Sequence, residues 1–452
     1  MNGKFHHYHN EKMETMPQRE LAAVQEREFR KIVRYAYDNS LFYKRSLDRL
    51  GLKPDGIRSI GDLQATGFFT TKDDLRNAYP YGMLAVPREK IVEMHATSGT
   101  TGTPALGLHT EGDLRDWGEV AARSLVMSGL TSSDVFQITP SLGMFSGGFG
   151  FYHGARAVGC TIVPASAGFS KRQIQFMRDF GTTMFSAIVS YAFRLAEVAV
   201  EMGVDPARDT KVRKGIFGSE IWTRGMKKKI SELWDLEPFD VYGFTELCGP
   251  GVGNDCAMHD GLHMWQDYYL VEVVDPKTGE PVGVEEEGEL VFTTLTKEAM
   301  PLIRYRSRDI SKLLDSPPAC ECGRTHRKYA EIRARVDDML KISGVNFWPS
   351  QVESVLLKEK DLGPEYRIRV YSENSIDRVH ISVEAGSSGG GLSQLERERL
   401  ALKLASDLHD VLLFKPDVEI VALNSLPRVE VGKAVRIVDE REKSKGNDNA
   451  NA

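Results

Sequence analysis

The chain has 452 residues, 41% of them hydrophobic and 27% charged, with 5 cysteines and a formal net charge of -6. That length exceeds one small core and predicts two or three domains, and the composition is that of an ordinary globular protein rather than a disulfide scaffold. Mild acidity without a dense basic stripe excludes a nucleic-acid surface, and the absence of a long apolar run excludes a membrane span; a cytoplasmic location is expected.

The first periodic stretch, Met13 to Tyr37, repeats Leu21, Val24, Phe29, Ile32, Val33 and Ala36 mostly at spacings of three and four, and predicts a helix. Thr71 is positioned to cap another, with Asp73 and Asp74 in its first turn. Ile91 to Ala96 reads as a strand, and a helical segment begins near Glu111. Between them lies Thr97-Ser98-Gly99-Thr100-Thr101-Gly102-Thr103-Pro104. Small hydroxyl residues and glycines leaving a strand can curl round an anion, phosphate above all, because they expose amide protons. The alternative is a surface Ser/Thr turn.

From Ile91 to Ile332, short apolar runs alternate with amphipathic segments. Phe136 to Ile138, Thr161 to Val163 and Gly215 to Phe217 read as strands; Lys171 to Arg178, Tyr191 to Val200 and Arg224 to Leu233 read as helices. The pattern predicts an α/β domain built on a mostly parallel sheet. Tyr268 to Val274 and Gly288 to Thr293 lack long intervening helices and predict a β-rich extension. A third region starts near Val336, with strands at Arg367 to Tyr371, His380 to Val383 and Val418 to Val421 and a helix at Leu392 to Leu408. The polar residues from about 442 predict a disordered tail.

Four motifs occur together: Ser98 to Pro104, Tyr242-Gly243-Phe244-Thr245-Glu246, Tyr305-Arg306-Ser307-Arg308-Asp309 and Arg335-Val336-Asp337-Asp338. Taken as a set they resemble the adenylate-forming enzymes, and the passages Phe68 to Arg76 and Gly288 to Ala299 resemble the phenylacetate-CoA ligase branch. The resemblance implies a large N-terminal domain (1–335) binding ATP and a carboxylic acid, and a small mobile α+β domain (336–452). It implies a two-step reaction: carboxylate and ATP give an acyl-adenylate and pyrophosphate, then coenzyme A displaces AMP to form a thioester. Transfer to a non-CoA acceptor, or a catalytically silent acyl-nucleotide sensor, are the alternatives that the motifs leave open.

Residue by residue, the resemblance assigns ATP phosphates to Ser98, Gly99, Thr100, Thr101, Gly102 and Thr103. Such loops often carry lysine where Thr103 stands, so contact here relies on neutral donors or on another lysine. Glu246 is assigned to Mg²⁺ beside the α-phosphate, Thr245 to that phosphate, Tyr242 to the adenine, Asp309 to the ribose hydroxyls and Arg335 to a second nucleotide contact. The alternative for Asp309 is a salt bridge with a neighbouring arginine; Arg304, Arg306 and Arg308 share one face if that segment is extended. Asp337 is assigned to the hinge and Lys433 to adenylation. Phe145, Gly148, Phe149, Gly218 and Ser219 resemble an aromatic acid pocket, with ordinary core packing as the alternative.

Cys256, Cys320 and Cys322 with His263 supply three thiolates and one imidazole, enough for a tetrahedral structural Zn²⁺. His259 is the competing fourth ligand, and free thiols are the alternative. The partner expected is a small carboxylic acid; a homodimer is compatible with the sequence, which encodes nothing that decides it.

Overall fold

The computed structural model describes residues 7–97, 103–315, 319–342, 345–373, 376–386, 392–428 and 436–441. Ser98 to Gly102 of the phosphate loop, Lys433 and the tail beyond 441 lie outside the described residues, as does the side chain of Asp337.

The first expected helix is divided. Glu11–Glu14 is capped by Asn10, and Gln18–Asn39 begins after Pro17. Proline lacks an amide proton and disfavours helical backbone in the residue before it, which breaks the run. The longer helix buries Leu21, Phe29, Ile32, Val33 and Ala36. Thr71 caps Lys72–Asn77: its hydroxyl accepts from the Asp74 amide at 3.2 Å, and the Asp74 carboxylate accepts from the Thr71 amide at 2.8 Å.

The large sheet has eight strands. Thr161–Val163 lies at one edge, followed by Val135–Ile138, Met184–Ile188, Lys214–Gly218 and Glu237–Phe244, all parallel. Gly249–Asp255, Leu262–Met264 and Lys328–Tyr329 continue it antiparallel. A second, antiparallel sheet takes Tyr269–Val274, Gly288–Thr294, Tyr305–Ser311 and Ala334–Arg335 in that order, which is the expected β-rich extension.

The glycine-rich segment after Phe145 is a helix, Ser146–Val158. Its glycines allow close packing: a Cβ at Gly148 would meet the Ser141 carbonyl oxygen at 2.4 Å, and one at Gly154 would meet Ala121 at 2.7 Å. It therefore lies tight against the helix Glu111–Met127.

The C-terminal region forms a separate α+β unit. Leu362–Glu373 and Ile376–Ala385 make an antiparallel pair, flanked in parallel by Ile437–Asp439 and Asp417–Val421. Its own core includes Val352, Ile368, Ile381, Leu404 and Leu408. Arg428 joins it to the large domain: the guanidinium grips Glu384 at 2.7 Å within the unit and Glu197 at 3.2 Å across the interface. Lys229 Nζ adds a bond of 3.1 Å to the Leu362 carbonyl.

Candidate active site

The strand Glu237–Phe244 ends in a turn carrying Thr245 and Glu246, then returns as Gly249–Asp255. A Cβ at Gly243 would stand 1.8 Å from the Gly249 carbonyl oxygen, so only glycine permits this return. The carboxyl ends of parallel strands are where α/β sheets bind ligands.

Across the turn runs Tyr305–Ser311 of the antiparallel sheet, whose alternation buries Tyr305, Ser307 and Asp309 on one face. Tyr305 Oη donates to Glu246 Oε1 at 3.2 Å. Tyr242 Oη donates to Asp309 Oδ2 at 2.6 Å, and Arg335 Nη1 donates to Asp309 Oδ1 at 2.9 Å. Burial, then the Asp309 charge, raises the Tyr242 phenol well above its ordinary pKa, so it remains a donor. Thr245 Oγ1 lies 3.1 Å from Ser146 Oγ at the start of the glycine-rich helix.

Thus Tyr242, Thr245, Glu246, Asp309 and Arg335 form one cluster. At its side, the ends of the segment expected to bind phosphate are clasped by Thr97 N to Ala105 O, 2.9 Å, and Ala105 N to Thr97 Oγ1, 3.0 Å. Thr103 is exposed. Phe145 and Phe149 are half-buried, with Phe149 tilted against His95 at 5.4 Å. Gly218 ends the strand beside Glu237–Phe244; a Cβ there would meet the Val241 carbonyl oxygen at 2.4 Å, so sheet packing alone demands glycine. Ser219 follows with a left-handed backbone, φ 67°.

The three neighbouring arginines do not share a face. Arg304 precedes the strand with φ 49° and is buried, its guanidinium held by Glu272 at 3.0 and 3.1 Å and lying over Phe69 at 4.1 Å. Arg306 pairs with Glu289, and Arg308 approaches Asp73 at 3.9 Å. Asp309 is partnered by Arg335 instead.

Two lysines join the site. Lys72 Nζ stands 3.3 Å from Glu246 Oε1. Buried Lys297 donates to the Leu247 carbonyl at 2.6 Å, fixing the residue after Glu246. Both lie inside the passages Phe68 to Arg76 and Gly288 to Ala299 that carry the resemblance, yet neither is singled out there as a site residue; the period-two relation of Tyr305, Ser307 and Asp309 was the readable signal for Tyr305.

Away from this cluster, Cys256, His263, Cys320 and Cys322 bring one donor atom each within 4.8 Å of one another. The Cys256 and Cys320 sulfurs are 3.8 Å apart, and Cys322 Sγ is 3.5 Å from His263 Nε2. His263 Nδ1 donates to the His326 carbonyl at 2.8 Å, which leaves the Nε2 lone pair facing the thiols. His259 turns instead to Asp255 at 3.1 Å and Glu237 at 3.4 Å. The donor set, buried and with one imidazole oriented from behind, fits a tetrahedral soft-metal site.

Residues 52–295 match the AMP-binding enzyme family, and residues 344–441 match the AMP-binding enzyme C-terminal domain. The phenylacetate-coenzyme A ligase of Aromatoleum evansii is 41% identical over 435 residues, covering 96% of this chain and 97% of the relative. That of Thermus thermophilus is 40% identical over 446 residues, covering 95% and 98%. Among solved structures, a 2-hydroxyisobutyryl-CoA ligase in its postadenylation state with 2-HIB-AMP superposes with TM-score 0.89 at 28% identity, covering 97% of this chain and 94% of that one. The same ligase in its thioesterification state gives 0.70, so the two domains here are arranged as in the former. Fold and site define a two-domain adenylate-forming enzyme. Within that class, the chain belongs to the phenylacetate-CoA ligase branch of the AMP-binding enzyme family.

Proposed function

We propose that this protein joins an aromatic carboxylic acid to coenzyme A with ATP, through an acyl-adenylate, releasing pyrophosphate and AMP. The observation that carries the reading is the cluster of Glu246 with the Tyr242–Asp309–Arg335 chain at the strand ends, in a chain matching phenylacetate-CoA ligases over nearly their whole length.

In this reading Asp309, fixed by Tyr242 and Arg335, accepts from the ribose, and Arg335 turns its remaining donors to the nucleotide. Glu246 holds Mg²⁺, a hard ion suited to a carboxylate, which offsets charge on the phosphate during attack. Thr245 and residues 98–103 hold phosphate oxygens. Phe145, Phe149 and the Gly218–Ser219 bend wall the acid, with Gly148 bringing the helix close. Asp337 is the hinge separating residues 1–335 from the rest, and Lys433 acts in adenylation. Cys256, His263, Cys320 and Cys322 hold a structural Zn²⁺ remote from the chemistry. The enzyme works in the cytoplasm.

The test is pyrophosphate release over a panel of aryl, arylacetic and short aliphatic acids, with and without CoA, with the thioester read by mass spectrometry. CoA-dependent thioester from aromatic acids is expected. Release without thioester assigns another acceptor, and no release from any acid removes the enzymatic reading.

A further inference from the structure

The strands Glu93–Ala96 and Leu106–His109 flank the phosphate loop as an antiparallel pair, with His95 opposite Gly107 and Glu93 opposite His109. Alternation sets Glu93, His95, Gly107 and His109 on one face. Both histidines are buried, and both pack on Trp117: His109 stacks at 5.0 Å and 18°, His95 meets its edge at 5.4 Å. Phe149 closes the other side of His95.

Each ring has one nitrogen engaged. His109 Nδ1 faces Lys297 Nζ at 3.4 Å. An ammonium only donates, so Nδ1 accepts and the proton resides on Nε2. Burial, then the Lys297 charge, lowers the His109 pKa well below that of free histidine, so this ring is neutral. His95 Nε2 faces Glu93 Oε1 at 2.8 Å, and His153 Nε2 shares that oxygen at 3.1 Å. A carboxylate only accepts, so His95 carries its proton on Nε2, and its Nδ1 is the acceptor when the ring is neutral.

The two remaining atoms, His109 Nε2 and His95 Nδ1, have no hydrogen-bond partner among the described residues. With both rings neutral, one is a donor and the other an acceptor. The rings are neighbours on one face of the strand pair, edge to face with centroids 5.8 Å apart. His109 Nε2 also lies 3.4 Å from where a Cβ of Gly107 would stand, beside the Thr245 carbonyl oxygen and thus next to the active-site turn.

We propose that His109 and His95 read a hydroxyl group on the body of the acid, so that the substrate is a hydroxylated aromatic acid. The hydroxyl accepts from His109 Nε2–H and donates to His95 Nδ1. A carboxylate can only accept, and an aryl amine is a poor acceptor; the pair is complementary to a phenol. This rests on the aromatic-acid reading above. An acid lacking the hydroxyl leaves two buried polar atoms unpaired, and discrimination follows from that loss.

The experiment compares kcat/KM for phenylacetic acid with its 2-, 3- and 4-hydroxy isomers, detecting the CoA thioester, in the wild type and in His109→Phe, His95→Phe and His109→Gln. Expected is a preference of at least about tenfold for one hydroxy isomer in the wild type. Its ratio to the parent acid collapses toward unity in both phenylalanine variants and is partly kept in His109→Gln, which retains an N–H donor. A wild type that uses phenylacetic acid as well as every isomer overturns the proposal. So does a preference that persists in His109→Phe, which assigns the two atoms to a buried water. The wild-type ratio decides even if a variant fails to fold. Turnover of phenylacetic acid without the preference refutes only this inference; no turnover of any acid refutes the ligase reading with it.

Discussion

Tyr242 donates to Asp309 at 2.6 Å across two different sheets, one mostly parallel and one antiparallel, so a single hydrogen bond ties the strand that carries the Glu246 turn to the strand whose end meets Arg335. Bonds to an ionised acceptor contribute about 1.5–3 kcal/mol. Tyr242→Phe removes this one without changing ring size, while the Arg335 contact to Asp309 remains. The expected outcome is a rise in KM for ATP of roughly 10- to 100-fold, with the KM for the acid changed far less. Pyrophosphate-release kinetics with each substrate varied in turn separate the two.

The cysteine cluster is bound to the N-terminal arm. Arg324, two residues after Cys322, makes a buried ion pair with Glu14 at 2.7 Å, and Tyr8 Oη donates to the Cys322 carbonyl at 3.1 Å. A metal that fixes residues 320–326 thereby fixes the arm. The purified protein is expected to hold one zinc per chain by elemental analysis. Cys256→Ser loses it, and chelation accelerates proteolysis within residues 7–18 while the C-terminal unit stays intact.

Much of this fold is legible in the sequence where the signal is local. The cap expected at Thr71 opens the helix Lys72–Asn77, and the helix expected at Leu392 to Leu408 is found at Gln394–Leu412. The helix Ser146–Val158 is hidden because its glycines argue against a helix by propensity, while the packing that selects them, against Ser141 and Ala121, comes from elsewhere in the chain. Motif residues could be named from the sequence, but their supports could not. Tyr305 reaches Glu246 only because two sheets meet, and Lys297 reaches Leu247 across fifty residues. Choosing His263 over His259 likewise depends on Asp255, whose carboxylate captures the second imidazole.

That capture has a pH signature. Hydrogen bonds to Asp255 and then Glu237 raise the His259 pKa to about 9. The folded value lies above the unfolded one of about 6.5, so the stabilisation is fully present below about pH 6.5 and is lost as pH rises through about 9. Melting temperature in the wild type is expected to fall more steeply between pH 7 and 10 than in His259→Gln. Parallel curves for the two proteins would show that the imidazole is neutral in the folded chain.

Lys72 supplies the last prediction, because its Nζ stands 3.3 Å from Glu246 at the first position of a helix whose cap is fixed by Thr71 and Asp74. With Thr103 neutral and exposed, this ammonium is the cation paired with Glu246 among its described contacts. In the free enzyme it balances the buried Glu246; with Mg²⁺ on that carboxylate, its long flexible stem lets it turn to a phosphate oxygen. Lys72→Met is therefore expected to raise the KM for ATP at least about tenfold, the scale of one charge-assisted bond, and Lys72→Arg to recover part of it. Thr103→Lys, adding a cation on the loop itself, is expected to restore ATP affinity in the Lys72→Met background. An unchanged KM for ATP in Lys72→Met would confine Lys72 to holding Glu246 in place, and the double variant would then gain nothing over the single one.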